Sequence, residues 1–257
     1  MGFRHEHLQV TSFPDHFSAV AANYARFRPK YPPALFDWIA AAAPARGAAW
    51  DCGCGNGQAS LPLAERFERI FATDPSAEQI AQAPQHRRIS WSVAPAEASG
   101  LDAASVDAVT VAQALHWFEL PKFWAEVLRV VRGDGLAVAW SYGVPFMDDD
   151  ALTPTLRHLH DDIVGPFWPK ERGHVDQGYH TIDFPFERLS SPSFDMREHW
   201  SIDELAGYLG TWSATRRYIA AIGTDPIAPF VAEIRERWGA GRRDVRWPLT
   251  VLAGRVG

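Results

Sequence analysis

The sequence predicts an α/β fold, a doubly wound and mostly parallel sheet with helices on both faces. Three observations predict it. Between residues 48 and 143 short apolar segments alternate with helical ones, the rhythm of successive strand-helix units. Spaced glycines, Gly53, Gly55 and Gly57, follow the first apolar segment. An acid, Asp74, closes the second.

Residues 1–44 read as a helical leader. Phe17, Val20, Ala21 and Tyr24 recur at helical spacing, and after Arg28-Pro29-Lys30-Tyr31-Pro32-Pro33 a second helix surrounds Leu35, Phe36 and Ile39. The core, 45–143, holds strands read at 49–52, 69–73, 89–93, 106–112 and 136–140. Before the fifth strand, Leu120, Phe123, Trp124, Val127, Leu128 and Val131 predict one apolar helix face, with Gly133 and Gly135 stopping the helix. Residues 144–200 break the rhythm: one helix is predicted from Leu152, Leu156, Leu159 and Ile163, then a loop rich in Pro, Gly and His, an insertion or lid over one end of the sheet. In 201–257 the run Ser201-Ile202-Asp203-Glu204 has the form of a capping box. It opens a helix with Leu205, Tyr208, Leu209 and Trp212 inward; Ile227, Phe230, Val231, Ile234 and Trp238 mark another, and 245–256 supply a last strand.

A chain of 257 residues, 47% hydrophobic, can bury one such domain's core without disulfides, so a single globular body is expected. Lys plus Arg number 25 against 31 Asp plus Glu, a net charge of −6. A field of that sign repels a phosphate backbone, which argues against a nucleic-acid partner. Residues 1–10 lack the apolar segment of a signal peptide, Glu6 replaces the Ser or Thr of a myristoylation signal, and no apolar run approaches a membrane span. A cytoplasmic protein without a membrane partner is expected. The two cysteines, Cys52 and Cys54, make no disulfide framework and read as small residues filling a tight turn.

The chemistry starts at the glycines. A glycine loop between strand and helix lets backbone N–H groups approach a nucleotide-like ligand, because no Cβ stands in the way. A dinucleotide fingerprint, G-x-G-x-x-G, needs glycine at position 58, where this chain has Gln58. The third glycine is Gly57, in the pattern Asp51-x-Gly53-x-Gly55-x-Gly57. Asp74 ends its strand 19 residues after Gly55, where doubly wound folds put a carboxylate on ribose hydroxyls; the bland alternative is a helix cap.

That pattern resembles the first motif of class I S-adenosylmethionine-dependent methyltransferases. Tyr24-Ala25-Arg26-Phe27-Arg28-Pro29-Lys30-Tyr31-Pro32, Asp74-Pro75-Ser76 and Gln113-Ala114-Leu115-His116-Trp117-Phe118 are similar to segments of the group that includes trans-aconitate methyltransferase. The resemblance covers residues 17–143. It implies a Rossmann-like seven-stranded sheet with an antiparallel last strand, and S-adenosylmethionine across the carboxyl ends of strands one and four. It also implies a cofactor-binding set of Asp51, Gly53, Cys54, Gly55, Gly57, Asp74, Pro75, Ala96, Glu97 and Gln113, with Ala96 and Glu97 beside the adenine.

Gln113, His116 and Trp117 follow the fourth strand, at the topological switch where such sheets bind ligands. His116 is a candidate for orienting an acceptor or taking its proton, with a hydrogen bond within the loop as the plain alternative. Tyr24 is a candidate for steadying the sulfonium by cation–π attraction. Arg28, like Arg26, Arg216 and Arg217, is a candidate grip for a carboxylate. His158, His160, His174 and His180 show no metal-ligand motif, and no metal is expected. Arg235, Arg237, Arg242, Arg243 and Arg246, interleaved with acids, read as a solvated face. The expectation is methyl transfer to a small-molecule acceptor, with a carboxylic acid as the candidate class; the alternatives are a catalytically silent cofactor-binding protein and a nicotinamide-dependent oxidoreductase.

Overall fold

A computed structural model describes residues 27–257. In chain order these form α1 (Pro33–Ala42), β1 (Ala48–Cys52), α2 (Ser60–Ala64), β2 (Arg69–Asp74), α3 (Ala77–Ala81), β3 (Ile89–Val93), β4 (Val106–Ala112), α4 (Leu120–Val130) and β5 (Val131–Ser141). Next come β6 (Phe146–Met147), α5 (Leu152–Arg157), α6 (Arg172–Asp176), β7 (Glu187–Arg188) and β8 (Asp195–Trp200). The chain ends with α7 (Ile202–Gly210), α8 (Ser213–Ile222), α9 (Ile227–Trp238), β9 (Arg243–Pro248) and β10 (Thr250–Val256).

Seven strands make one sheet in the order β3-β2-β1-β4-β5-β10-β7. β1 pairs in parallel with β2 on one side and β4 on the other, so the winding reverses there and leaves a crevice beyond the carboxyl ends. β10 runs antiparallel to β5, as expected of the last strand. The two-residue β7, inside the insertion, completes the seven. It is too short to show any period in sequence.

Alternation along the strands divides the core. Trp50, Val109, Val111 and Ala137 face one side with Phe123 and Val127 of α4, while Ala49, Ala108, Leu136, Val138 and Trp140 face the other with Leu35, Phe36 and Ile39 of α1. β1 is buried throughout, as a central parallel strand covered on both faces must be.

Two local features differ from the sequence reading. Leu128 is 54% exposed, and the inward position on α4 belongs to Glu126, which its partners make tolerable inside. The helix ends at Val130, and Gly133 and Gly135 lie within β5 rather than stopping a helix. There the register against β4 shifts; a Cβ on Gly135 would strike the Val131 side chain and lie 3.2 Å from the Asp107 carbonyl. A glycine demanded by a strand irregularity imitates a helix stop.

A further difference lies in 144–257. The stretch 245–256 is split between two strands: β9 joins β6 and β8 in a separate antiparallel sheet, and β10 joins the main one. Side chains from 144–200 and from the following helices share one core, in which Trp200, Tyr208, Trp212, Trp238 and Trp247 are buried. The capping box forms as expected, with Ser201 accepting the Glu204 amide and Glu204 reaching back to the Ser201 amide. Arg237, Arg242, Arg243 and Arg246 pair with Asp149, Glu204, Asp148 and Asp195 respectively. No helix among the described residues is long and apolar enough to cross a membrane. Tyr24 and Arg26, with Phe17, Val20 and Ala21, lie outside the described residues.

Candidate active site

The glycine loop turns sharply because all three glycines adopt positive φ: 66° at Gly53, 55° at Gly55 and 94° at Gly57. Only glycine does so cheaply. A Cβ on Gly53 would stand 2.6 Å from the Ala114 Cβ, and one on Gly57 would strike the Trp91 ring, so the loop also packs too closely for larger residues. At Gly55 the missing Cβ leaves the space toward Gln79 open.

Beneath the loop, Asp51 is fully buried. Its carboxylate accepts the Ser60 hydroxyl at 2.6 Å and the Thr110 hydroxyl at 3.0 Å, tying β1 to α2 and to β4. Burial pushes its pKa up to about 6, against the smaller lowering by these hydroxyls. Its folded pKa exceeds the unfolded 3.8, so the stabilising contribution is complete below pH 3.8 and is lost as pH rises through about 6. Above that window the buried charge costs about 3 kcal/mol. Asp51→Asn keeps an oxygen for Thr110 and can donate to Ser60. It is therefore expected to raise Tm at pH 8 while changing it little below pH 4. Equal Tm shifts at both pH values in thermal melts would contradict this origin.

Asp74 faces the crevice. Its Oδ2 accepts the Gly55 amide at 2.9 Å and its Oδ1 the Ser76 amide at 2.9 Å. The cap of α3 is Ser76, whose hydroxyl accepts the Gln79 amide. Asp74 thus fixes the loop while each of its oxygens keeps a further lone pair.

At the end of β4, Gln113 takes φ 57°, unusual for a residue other than glycine, and donates its side-chain amide to the Tyr142 carbonyl at 2.9 Å. Arg28 arrives from the other side. Its guanidinium donates to the Tyr142 hydroxyl at 2.9 Å and lies 5.8 Å from the centre of the Tyr208 ring. Gln58, which breaks the dinucleotide pattern, donates to the Pro29 carbonyl and so holds the segment bearing Arg28 against the loop.

These groups enclose a cavity of about 270 Å³ lined by Gly53, Cys54, Gly55, Asp74, Gln113 and Arg28 from the sequence candidates. Sequence reasoning did not single out Tyr31, Asn56, Gln79 or Tyr142, which also line it. Tyr142 follows β5, and the position after a sheet strand beside the switch was the available signal. Asp51 lies under the cavity, and Gly57, Pro75, Ala96 and Glu97 are not among its lining residues. Ala96 is core, and the Glu97 carboxylate accepts the Glu119 amide at 2.8 Å. Cys52 and Cys54 are free and buried, and burial pushes both thiols up, away from reactive thiolate.

His116 is not among the residues that line this cavity. Its Nδ1 lies 3.1 Å from the Tyr179 hydroxyl, and burial, helped by Arg172 and His174, pushes its pKa down to about 4. A ring so weakly basic is neutral at pH 7 and a poor proton acceptor. Trp117, its neighbour, lines the cavity and is 53% exposed. Among the described residues no group of three or more His, Cys, Asp or Glu is arranged to hold a metal.

Comparison with known proteins joins this geometry to a family. Residues 50–139 match the family described as a methyltransferase domain, a span that contains the glycine loop, Asp74 and Gln113. A Dictyostelium discoideum protein assigned to the methyltransferases is 33% identical over 87% of this chain and 86% of its own length. A Saccharomyces cerevisiae protein assigned as an S-adenosylmethionine-dependent methyltransferase is 31% identical over 50% of this chain and 47% of its own. A solved structure from Anaeromyxobacter dehalogenans, assigned as a type II methyltransferase, superposes with a TM-score of 0.84 at 46% identity, covering 89% of this chain and 98% of that one. The oxidoreductase alternative left open by the sequence is thereby set aside. With its seven-stranded sheet, antiparallel last strand and glycine loop at the switch, the chain belongs to the class I S-adenosylmethionine-dependent methyltransferases.

Proposed function

We propose that the protein methylates an oxygen of a small carboxylic acid, with S-adenosylmethionine as donor and Arg28 as the grip on the acceptor. The observation that carries this reading is the place of Arg28, which lines the same cavity as the glycine loop and Asp74. The cavity fits the donor: the loop presents glycines without Cβ atoms, and Asp74 offers lone pairs for ribose hydroxyls. S-adenosylmethionine supplies a methyl group already activated on sulfur.

The chain's own part is to orient the acceptor and exclude water, which can lower a barrier by about 7–11 kcal/mol. Arg28 presents a planar fork to a carboxylate, and the Tyr142 hydroxyl steadies that fork. An ionised carboxylate attacks without a general base, which accords with a His116 that is weakly basic and turned toward Tyr179. The resemblance of the segments 24–32 and 113–118 to the group that includes trans-aconitate methyltransferase, read from the sequence, favours the same acceptor class. A net charge of −6 favours a small acceptor over nucleic acid.

The test is to incubate the protein with labelled donor and pooled small carboxylic acids, and to follow mass gains of one methyl group. With an acceptor in hand, Arg28→Lys is expected to raise its KM about tenfold, the cost of replacing a two-point grip by a point charge. Affinity for S-adenosylhomocysteine stays the same, and activity does not fall steeply between pH 7 and pH 5.5. A product methylated on nitrogen or carbon, or an acceptor without an acidic group, overturns the reading and leaves the methyltransferase assignment in place.

A further inference from the structure

One polar contact lies outside the cavity yet touches the turn after β4 that carries part of its wall. Tyr179 is almost fully buried and adopts φ 58°, a left-handed backbone that a bulky aromatic residue rarely takes, directly after Gly178 at the same φ. The turn is held by a 2.7 Å bond from the Tyr179 amide to the His174 carbonyl, the last turn of α6 folding back on itself. Such backbone persists only where its surroundings over-determine it.

The hydroxyl delivered by this turn lies 3.1 Å from His116 Nδ1, in the short 3-10 turn Leu115–Trp117 that follows β4. The next residue, Trp117, lines the cavity, and the His116 and Trp117 rings touch, with centroids 4.9 Å apart.

We propose that Tyr179 is a positioning residue for the wall of the cavity formed by Trp117, which it sets through His116. The insertion between the fifth and last strands of the main sheet thereby controls that wall of the site from behind. A half-exposed tryptophan on a wet wall has many rotamers open to it, and a neighbour clamped by a buried tyrosine removes most of them. The hydrogen bonds that fix the cofactor side, from the Gly55 and Ser76 amides to Asp74, involve neither His116 nor Tyr179. The proposal rests on methyl transfer in this cavity and is independent of which acceptor is used.

Tyr179→Phe keeps the ring and removes only the hydroxyl. In holoprotein it is expected to lower total methyl transfer to subsaturating pooled carboxylic acids about tenfold, since small misplacements of reacting groups are costly. S-adenosylhomocysteine affinity, read by calorimetry, should stay within about twofold, because the clamp and the cofactor side share no partner. Adding His116→Phe should cost little more than the worse single change, as for residues acting through one another. The Trp117 indole N–H signal should shift in NMR spectra of Tyr179→Phe. Unchanged transfer, an equal loss of S-adenosylhomocysteine affinity, or additive losses would overturn the proposal. If wild-type protein methylates none of the acids, the carboxylate reading fails separately, and the Trp117 signal decides: no shift on loss of the hydroxyl overturns the clamp.

Discussion

Asp74→Ala is expected to weaken S-adenosylmethionine binding about 10- to 150-fold, or about 1.5–3 kcal/mol, the range for hydrogen bonds to a charged group. Two losses combine in that figure. The carboxylate no longer offers lone pairs to ribose hydroxyls, and the Gly55 and Ser76 amides lose the acceptor that fixes the loop before any ligand arrives. Asp74→Asn separates them, since its remaining carbonyl oxygen can accept one amide without a charge. It should fall between wild type and the alanine variant in titration calorimetry. The fold should survive both changes, because Asp74 is half-buried at a strand end and the core beneath it is apolar. Alanine binding the donor as tightly as wild type would remove Asp74 from the cofactor site.

The sheet was legible because its strands are long and apolar and its loop glycines are obligatory. β1 and β4 are buried on both faces and read as mostly apolar runs, interrupted only by Asp51, Asp107 and Thr110. Gly53, Gly55 and Gly57 each need positive φ, so the spacing in sequence is the shape of the loop in space. The second sheet was not legible, since β6 has two residues and β9 draws its partners from segments about fifty and a hundred positions earlier. The site divides the same way. Its cofactor side sits within one strand-loop-helix unit, whereas its other wall is assembled by distant pairs, Arg28 with Tyr142 and Gln58 with Pro29. His116 shows the limit of position as evidence: it follows β4 where a catalytic residue is expected, yet its ring contacts Tyr179, 63 residues away, and does not line the cavity.

Glu126→Ala is expected to cost about 3 kcal/mol of stability, because it leaves buried donors without an acceptor. Only 8% of the Glu126 side chain is exposed, on the core-facing side of α4. It accepts the Ser99 amide at 2.8 Å, the Ser99 hydroxyl, and two bonds from Arg129 at 2.7 Å each. The Arg129 guanidinium, followed by Ser99, pushes its pKa down to about 2 against the opposing effect of burial. That displacement from 4.5 corresponds to about 3 kcal/mol, the same interactions seen through titration. The folded pKa lies below the unfolded one, so the contribution is complete above pH 4.5 and is lost as pH falls toward about 2. Thermal melts should therefore show a deficit of roughly 6–12 °C for Glu126→Ala at pH 7, shrinking below pH 4.5. Glu126→Gln, which keeps an oxygen for Ser99, should show a smaller deficit with no such pH dependence. The consequence for the site is local. Ser99 lies in the loop after β3 that also holds Ala96 and Glu97, and that loop is stitched to α4 by Glu126, by the bond from the Glu119 amide to Glu97, and by Arg129, which donates to the Leu101 carbonyl. Loss of one stitch should speed hydrogen exchange across residues 94–101 before it reaches β1 or β4. A deficit that persists unchanged to pH 3 would show that packing, and not the carboxylate, sets the stability of this helix.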